Sequence, residues 1–122
     1  MSASILVLED DEAMGRMIRR QLKAAGHRVR VFVQAAPALD EIDDGASFDL
    51  YLLDVTMPAG ELHGLAFARM IKTRFPNARI IFATGDPDLV ASADRALGPV
   101  FAKPIDFIEL LKEIERQLAK GS

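Results

Sequence analysis

Ile5-Leu6-Val7-Leu8-Glu9-Asp10-Asp11 opens the chain with four consecutive apolar residues that run straight into three acids. A run that is apolar without alternation suits a strand buried on both faces, as in a parallel sheet. The pattern returns at Leu50-Tyr51-Leu52-Leu53-Asp54 and at Ile80-Ile81-Phe82-Ala83-Thr84, each closed by a polar residue. Segments of helical period lie between these runs. Met14, Ile18, Leu22 and Ala25 recur at steps of three and four, with Asp11 placed to cap the start and Gly26 to stop the helix. Val29, Val31 and Val33 predict a shorter second strand, and a helix over 35–44 follows, with Pro37 near its start and Gly45 past its end. Leu65, Ala68, Ile71 and Phe75 predict a third helix, broken by Pro76-Asn77. Asp86-Pro87 has the form of an N-cap with proline at the first helical position and predicts a helix to about Leu97. Val100-Phe101-Ala102 predicts a short fifth strand before Lys103-Pro104. The last helix carries a capping box at Asp106 and Glu109 and a staple of Ile105 and Leu110. Its predicted buried stripe is Ile108, Leu111, Ile114 and Leu118.

Five strands alternating with five helices predict an α/β fold, a doubly wound parallel sheet with helices on both faces, filling residues 1–122 as a single domain. The composition agrees with one packed core: of 122 residues, 50% are apolar and 27% charged. With no cysteine, disulfides, thiolate catalysis and cysteine-bound zinc are excluded. His27 and His63 lie far apart and offer no metal-ligand spacing. Fifteen basic against 18 acidic side chains leave a net charge of −3, which argues against a nucleic-acid partner. Apolar runs of four residues are far below the roughly 18 to 20 that span a bilayer, and no signal peptide opens the chain. The expectation is a cytoplasmic domain with no membrane partner.

Ligands of open parallel sheets bind beyond the carboxyl ends of the strands. There the sequence places Glu9 and Asp10 after the first strand, Asp54 at the end of the third, Thr84 at the end of the fourth and Lys103 after the fifth. Three converging carboxylates repel one another unless they are protonated or meet a cation. An all-oxygen donor set suits a hard ion, Mg²⁺ above all. A lysine and a hydroxyl donor beside a metal-held carboxylate describe a phosphoryl-transfer site, with Asp54 as the nucleophile. Taken singly, each residue has a structural reading: Asp11 as a helix cap, Lys103 as a surface lysine, Thr84-Gly85 as a tight turn. Their joint occurrence at successive strand ends carries the functional one.

These residues resemble the receiver domain of two-component response regulators. Ile5 to Asp11 is similar to the family's opening strand and acidic pair, Leu52-Leu53-Asp54-Val55-Thr56-Met57-Pro58 to its phosphoacceptor strand and turn, and Ala83-Thr84-Gly85 and Lys103-Pro104 to its hydroxyl and lysine motifs. The resemblance runs over nearly the whole chain in the right order. It implies the flavodoxin-like (βα)5 fold with strand order 2-1-3-4-5. It also implies that Asp54 accepts a phosphoryl group from a histidine kinase or histidine phosphotransfer protein. Glu9, Asp10, Asp54 and the backbone carbonyl of Thr56 would hold Mg²⁺, Lys103 would pair with a phosphoryl oxygen, and Thr84 would donate to one. Thr56 and Asp86 occupy the positions that tune autodephosphorylation. The output implied is a binding surface that changes on phosphorylation and docks a downstream protein or drives dimerisation, rather than turnover of a substrate.

The chain also departs from the family pattern. Where members often carry an aromatic switch three residues before the lysine, this sequence has Val100, with Phe101 one residue later and expected to point into the core. Ala59 to His63 lengthen the interval between Pro58 and Gly64, with His63 expected in solvent. The interval from Thr84 to Lys103 is short, which predicts a shortened or reoriented fourth helix. A phosphorylation-independent docking domain is the competing reading. An enzyme on the same sheet, a flavodoxin or an aspartate-nucleophile phosphatase, lacks its phosphate loop after the first strand and its second acid at position 56. The receiver leaves no length for an output domain, so the expectation is either a stand-alone regulator or a receiver cut from a larger protein.

Overall fold

A computed structural model describes residues 2–55 and 64–120. The elements run β1 (Ser4–Leu8), α1 (Glu12–Ala24), β2 (Arg28–Phe32), α2 (Ala35–Asp43), β3 (Leu50–Asp54), α3 (Gly64–Arg74), β4 (Ile80–Thr84), a 3-10 turn (Pro87–Leu89), α4 (Ser92–Arg95), β5 (Val100–Ala102) and α5 (Phe107–Ala119). The strands form one parallel sheet in the order β2-β1-β3-β4-β5. β3 and β4 are buried along their whole length, as their unbroken apolar runs predict.

Side-chain alternation sorts these strands into two cores. Ile5, Val7, Leu50, Leu52, Ile81 and Ala83 pack with Ile18 and Leu22 of α1 and Leu110 and Ile114 of α5. Leu6, Leu8, Tyr51, Leu53, Ile80 and Phe82 pack on the opposite face with α2 and α3. Each fully buried Leu or Ile contributes roughly 1.5–3 kcal/mol of transfer free energy, so a slip of one residue in register would exchange both faces. The same alternation carries Glu9, in phase with Ile5 and Val7, and Asp54, in phase with Leu50 and Leu52, to the α1/α5 side at the carboxyl edge.

Helix punctuation follows the sequence at both long ends. Asp11 accepts from the Met14 amide, and Gly26 takes φ +98° after α1. Asp106 accepts from Ile108 and Glu109. Three expectations need correcting. The helix expected from Asp86 to Leu97 is a 3-10 turn and a four-residue helix, and Asp86 makes no side-chain cap bond. Pro87 is at the first helical position, but Val90 and Ala91 adopt extended backbone that ends the turn after Leu89, and the shortened fourth helix that the short interval to Lys103 predicts follows at Ser92. Ile108 is 69% exposed, because the Asp106 cap starts the helix at Phe107 and puts Phe107, Leu110, Leu111, Ile114 and Leu118 on the core face. Val33 lies past the end of β2 and is exposed. Phe101 packs with the α1/α5 core as expected, and Val100, paired with Phe82, packs with the other. No helix among the described residues is long and apolar enough to cross a membrane.

Candidate functional site

The carboxyl edge gathers the predicted side chains through backbone pairing. Leu8 pairs with Leu53 and Asp54 with Ala83, so the residues after β1 and at the end of β3 lie side by side. The Lys103 amide donates to the Thr84 carbonyl at 2.8 Å, extending the β4–β5 ladder by one bond and fixing where the lysine leaves the sheet. Gly64, the first residue of α3, lies so close that a Cβ there would collide with the Asp54 carbonyl.

Glu9, Asp10 and Asp54 each bring a carboxylate oxygen within 4.8 Å of the others. Glu9 and Asp54 are buried, at 1% and 3% exposure, while Asp10 reaches solvent. The Lys103 ammonium lies 2.6 Å from Glu9 Oε1 and 3.5 Å from Asp54 Oδ2. The other Glu9 oxygen accepts from the Asp11 amide at 3.2 Å. Glu9 is therefore the near partner of Lys103, a contact between residues 94 apart that local pattern does not reveal. Thr84 is fully buried, and its Oγ1 accepts from the Asp86 amide at 3.0 Å, which leaves the hydroxyl proton for another acceptor. Asp86 is exposed. Thr56, the Met57-Pro58 turn, the interval Ala59 to His63, and Gly121-Ser122 lie outside the described residues.

Charge accounts for the state of this cluster. Burial first, then hydrogen bonding to Asp10 and Glu9 and repulsion by Glu9, push the Asp54 carboxyl from 3.8 up to about 8, with Lys103 opposing. Burial pulls the Lys103 ammonium down, but Glu9 and Asp54 outweigh it and hold it above its ordinary 10.5. One lysine does not balance three acids, so the site favours either a proton or a further cation. Hard oxygen donors on an open rim fit Mg²⁺, which keeps several waters and takes only a few protein carboxylates.

One pair outside this site was not legible in the sequence. Arg69 on α3 makes a bidentate contact to the buried Asp94 of α4, at 2.8 to 3.0 Å, and Arg95 donates to the Val90 and Pro87 carbonyls. These contacts hold the short α4 segment in place.

Comparisons agree with the geometry. The sequence model of the response regulator receiver domain matches residues 5–115. The response regulator receiver protein CpdR of Brucella abortus is 34% identical over 120 residues, covering 93% of this chain and 95% of its own. The DNA-binding transcriptional regulator NtrC of Azospirillum brasilense is 33% identical, but the match covers 96% of this chain and 24% of that longer protein. Among solved structures, the receiver domain of NtrX from Brucella abortus superposes with TM-score 0.84 at 28% identity, covering 96% of this chain and 99% of that one. The response regulator TrrA of Thermotoga maritima, solved in complex with Mg²⁺-BeF, shares the fold at TM-score 0.82 and 24% identity, covering 93% and 96%. The match of motif order, sheet order and carboxyl-edge chemistry has one consequence: the chain belongs to the receiver domains of response regulators.

Proposed function

We propose that the chain is a phosphoacceptor that takes a phosphoryl group on Asp54 from the phosphohistidine of a histidine kinase or histidine phosphotransfer protein. The observation that carries this is a buried aspartate between two acids, with an ammonium 3.5 Å from its oxygen. In the transfer, an Asp54 oxygen forms the O–P bond as the N–P bond of the donor breaks. The imidazole leaves with that electron pair and takes up a proton. Glu9, Asp10 and Asp54, with the Thr56 carbonyl, would hold Mg²⁺, which when bound offsets the charge of the carboxylates and of the phosphoryl oxygens. Lys103 moves from its Glu9 partner toward a phosphoryl oxygen, and Thr84 donates its hydroxyl proton to another. Thr56 and Asp86 set the approach of water for autodephosphorylation.

Phosphorylation adds up to two negative charges at the carboxyl edge. Drawing in Thr84 and Lys103 biases β4, β5 and the short α4 between two arrangements, with Val100 as the side chain that must repack. The output is then docking of a downstream protein or a second copy. Incubation with acetyl phosphate and Mg²⁺, read by intact mass, is expected to add one phosphoryl group, with none on Asp54→Asn and none after chelation. Partner binding insensitive to both the phosphodonor and Asp54→Asn would favour a docking domain that works without phosphorylation.

A further inference from the structure

Of fifteen Lys and Arg side chains, six make no hydrogen bond or ion pair with any described residue: Arg16, Arg19, Arg20, Lys23, Arg28 and Lys120. Four of them are on α1, spaced i, i+3, i+4 and i+7, which makes one exposed stripe. Like charges at these spacings cost helix stability, so the stripe weakens the helix that carries it. In a chain of net charge −3, its local sign is opposite to the whole.

The stripe borders an apolar floor. Gly15 lets α1 lie close on β2, since a Cβ there would stand 3.1 Å from Val31 Cγ1. Between helix and strand runs a shallow groove of about 250 Å³ floored by Val31 and Val33 and rimmed by Arg16 and Arg19, with Glu12 at one end. It continues past Val33 into a second hollow of about 610 Å³ that reaches Asp10, Asp11 and Glu12. Of the four large apolar side chains exposed among the described residues, one, Val33, lines both hollows.

We infer that the α1–β2 groove is a docking site for an acidic protein segment anchored by apolar side chains. Charge complementarity to Arg16 and Arg19 at the groove, and to Arg20 and Lys23 farther along the same stripe, selects the acids, and Val31 and Val33 receive the anchors. A nucleic acid fits less well. Its unbroken row of phosphates would meet Asp10, Asp11 and Glu12 at the upper end of the groove and would leave the apolar floor empty. The inference does not rest on the phosphoacceptor reading.

The test is fluorescence anisotropy of the full chain with a labelled peptide of alternating glutamates carrying two leucines, beside the same peptide with serines for leucines and a 20-bp DNA duplex. The expected result is salt-sensitive binding of the leucine peptide, weakened about tenfold or more by R16E/R19E/R20E. The leucine peptide is also expected to be weakened by V33D, and the serine peptide to bind less tightly than it. The substituted sites are exposed, and an unchanged circular dichroism spectrum and thermal midpoint check that the variants fold. Uptake from acetyl phosphate by the arginine variant is expected to be unchanged. Loss of peptide binding with intact uptake therefore separates this site from the receiver reading. No binding of the leucine peptide, equal binding to the arginine variant, or tighter binding of the duplex would each overturn the inference.

Discussion

The two edges of the sheet are built on opposite principles. At the amino edge the starts of β1 to β4 are tied by satisfied bonds. The Ala3 amide donates to His27 Nδ1 at 3.1 Å, the Ser4 amide to Asp49 at 2.8 Å and the Lys72 ammonium to the Ala78 carbonyl at 2.6 Å. Arg79 reaches the Gln117 and Lys120 carbonyls at the end of α5. At the carboxyl edge three acids cluster beside one lysine that pairs with Glu9 and Asp54, and burial and like charge raise the pKa of Asp54. Polar groups at one end of the strands are therefore paired off one by one, and like charge is concentrated at the other. Such a division lets the elements beside the carboxyl edge respond to added charge while the amino edge holds the strands in register.

The glycines of close approach give the largest test of that division. A Cβ at Gly64 would enter the Asp54 carbonyl at the carboxyl edge, and one at Gly98 would enter the Ile80 carbonyl at the amino edge. Gly64→Ala and Gly98→Ala are each expected to cost about 3 kcal/mol in urea unfolding, the upper range for overpacking. Only Gly64→Ala should also abolish phosphoryl uptake per folded molecule, because it displaces Asp54. Gly85→Ala, with open space around it, is the neutral control. Equal loss of uptake from both buried glycines would mean that the edges are not separable.

A charge deletion at each edge gives the next contrast. Lys103→Met leaves the buried Glu9 without its cation and is expected to cost about 3 kcal/mol. Arg79→Met removes donors from carbonyls that water can still reach, and about 1 kcal/mol is expected. Urea midpoints of the two variants check the order, and a reversal would place the larger electrostatic burden at the amino edge.

The sequence was most legible where a local rule and the tertiary fold agree. Unbroken apolar runs ending in Glu9, Asp54 and Thr84 announced both the sheet and the edge where these side chains gather, because a parallel strand buried on both faces has only its ends left for polar residues. Asp11 and Asp106 announced helix starts because capping is a contact within three residues. Asp86-Pro87 misled, since the same start signal serves a single 3-10 turn when extended residues, here Val90 and Ala91, follow it. Ile108 misled because one residue of phase decides which side of a helix meets the core. The Glu9–Lys103 and Arg69–Asp94 pairs, 94 and 25 residues apart, follow from no local rule. The stripe of cations on α1 was visible as a spacing, but its lack of partners is a property only of the folded chain.

Proton linkage at the carboxyl edge gives a smaller effect of defined sign. Asp54 titrates at about 8 in the folded chain and near 3.8 when unfolded, so between these values the folded state binds the extra proton. Its contribution is fully present below about pH 4 and is lost as pH rises toward 8. Asp54→Asn is expected to match the wild type at pH 4 and exceed it at pH 8 by at least about 1.4 kcal/mol, the equivalent of one pH unit. Urea unfolding of both proteins at pH 4, 6 and 8 checks it, and parallel curves would count against a strained Asp54.

The amino edge should titrate in the opposite sense, and with the smallest amplitude. His27 is 6% exposed and accepts the Ala3 amide on Nδ1, a bond that a protonated ring cannot make. Burial, aided by the positive N-terminus and opposed by Glu115, holds its pKa below 6.5. The unfolded chain takes up the proton first, so stability is full above about pH 6.5 and is lost as pH falls through the lower folded value. His27→Asn keeps an acceptor near the Nδ1 position but cannot titrate. It is expected to lose about 1 kcal/mol at pH 8 and to regain part of that deficit against the wild type by pH 5. The difference curve for His27 should therefore tilt one way and that for Asp54 the other. Two curves tilting the same way would mean that the sheet responds to protons as one body, and the contrast between its edges would fail.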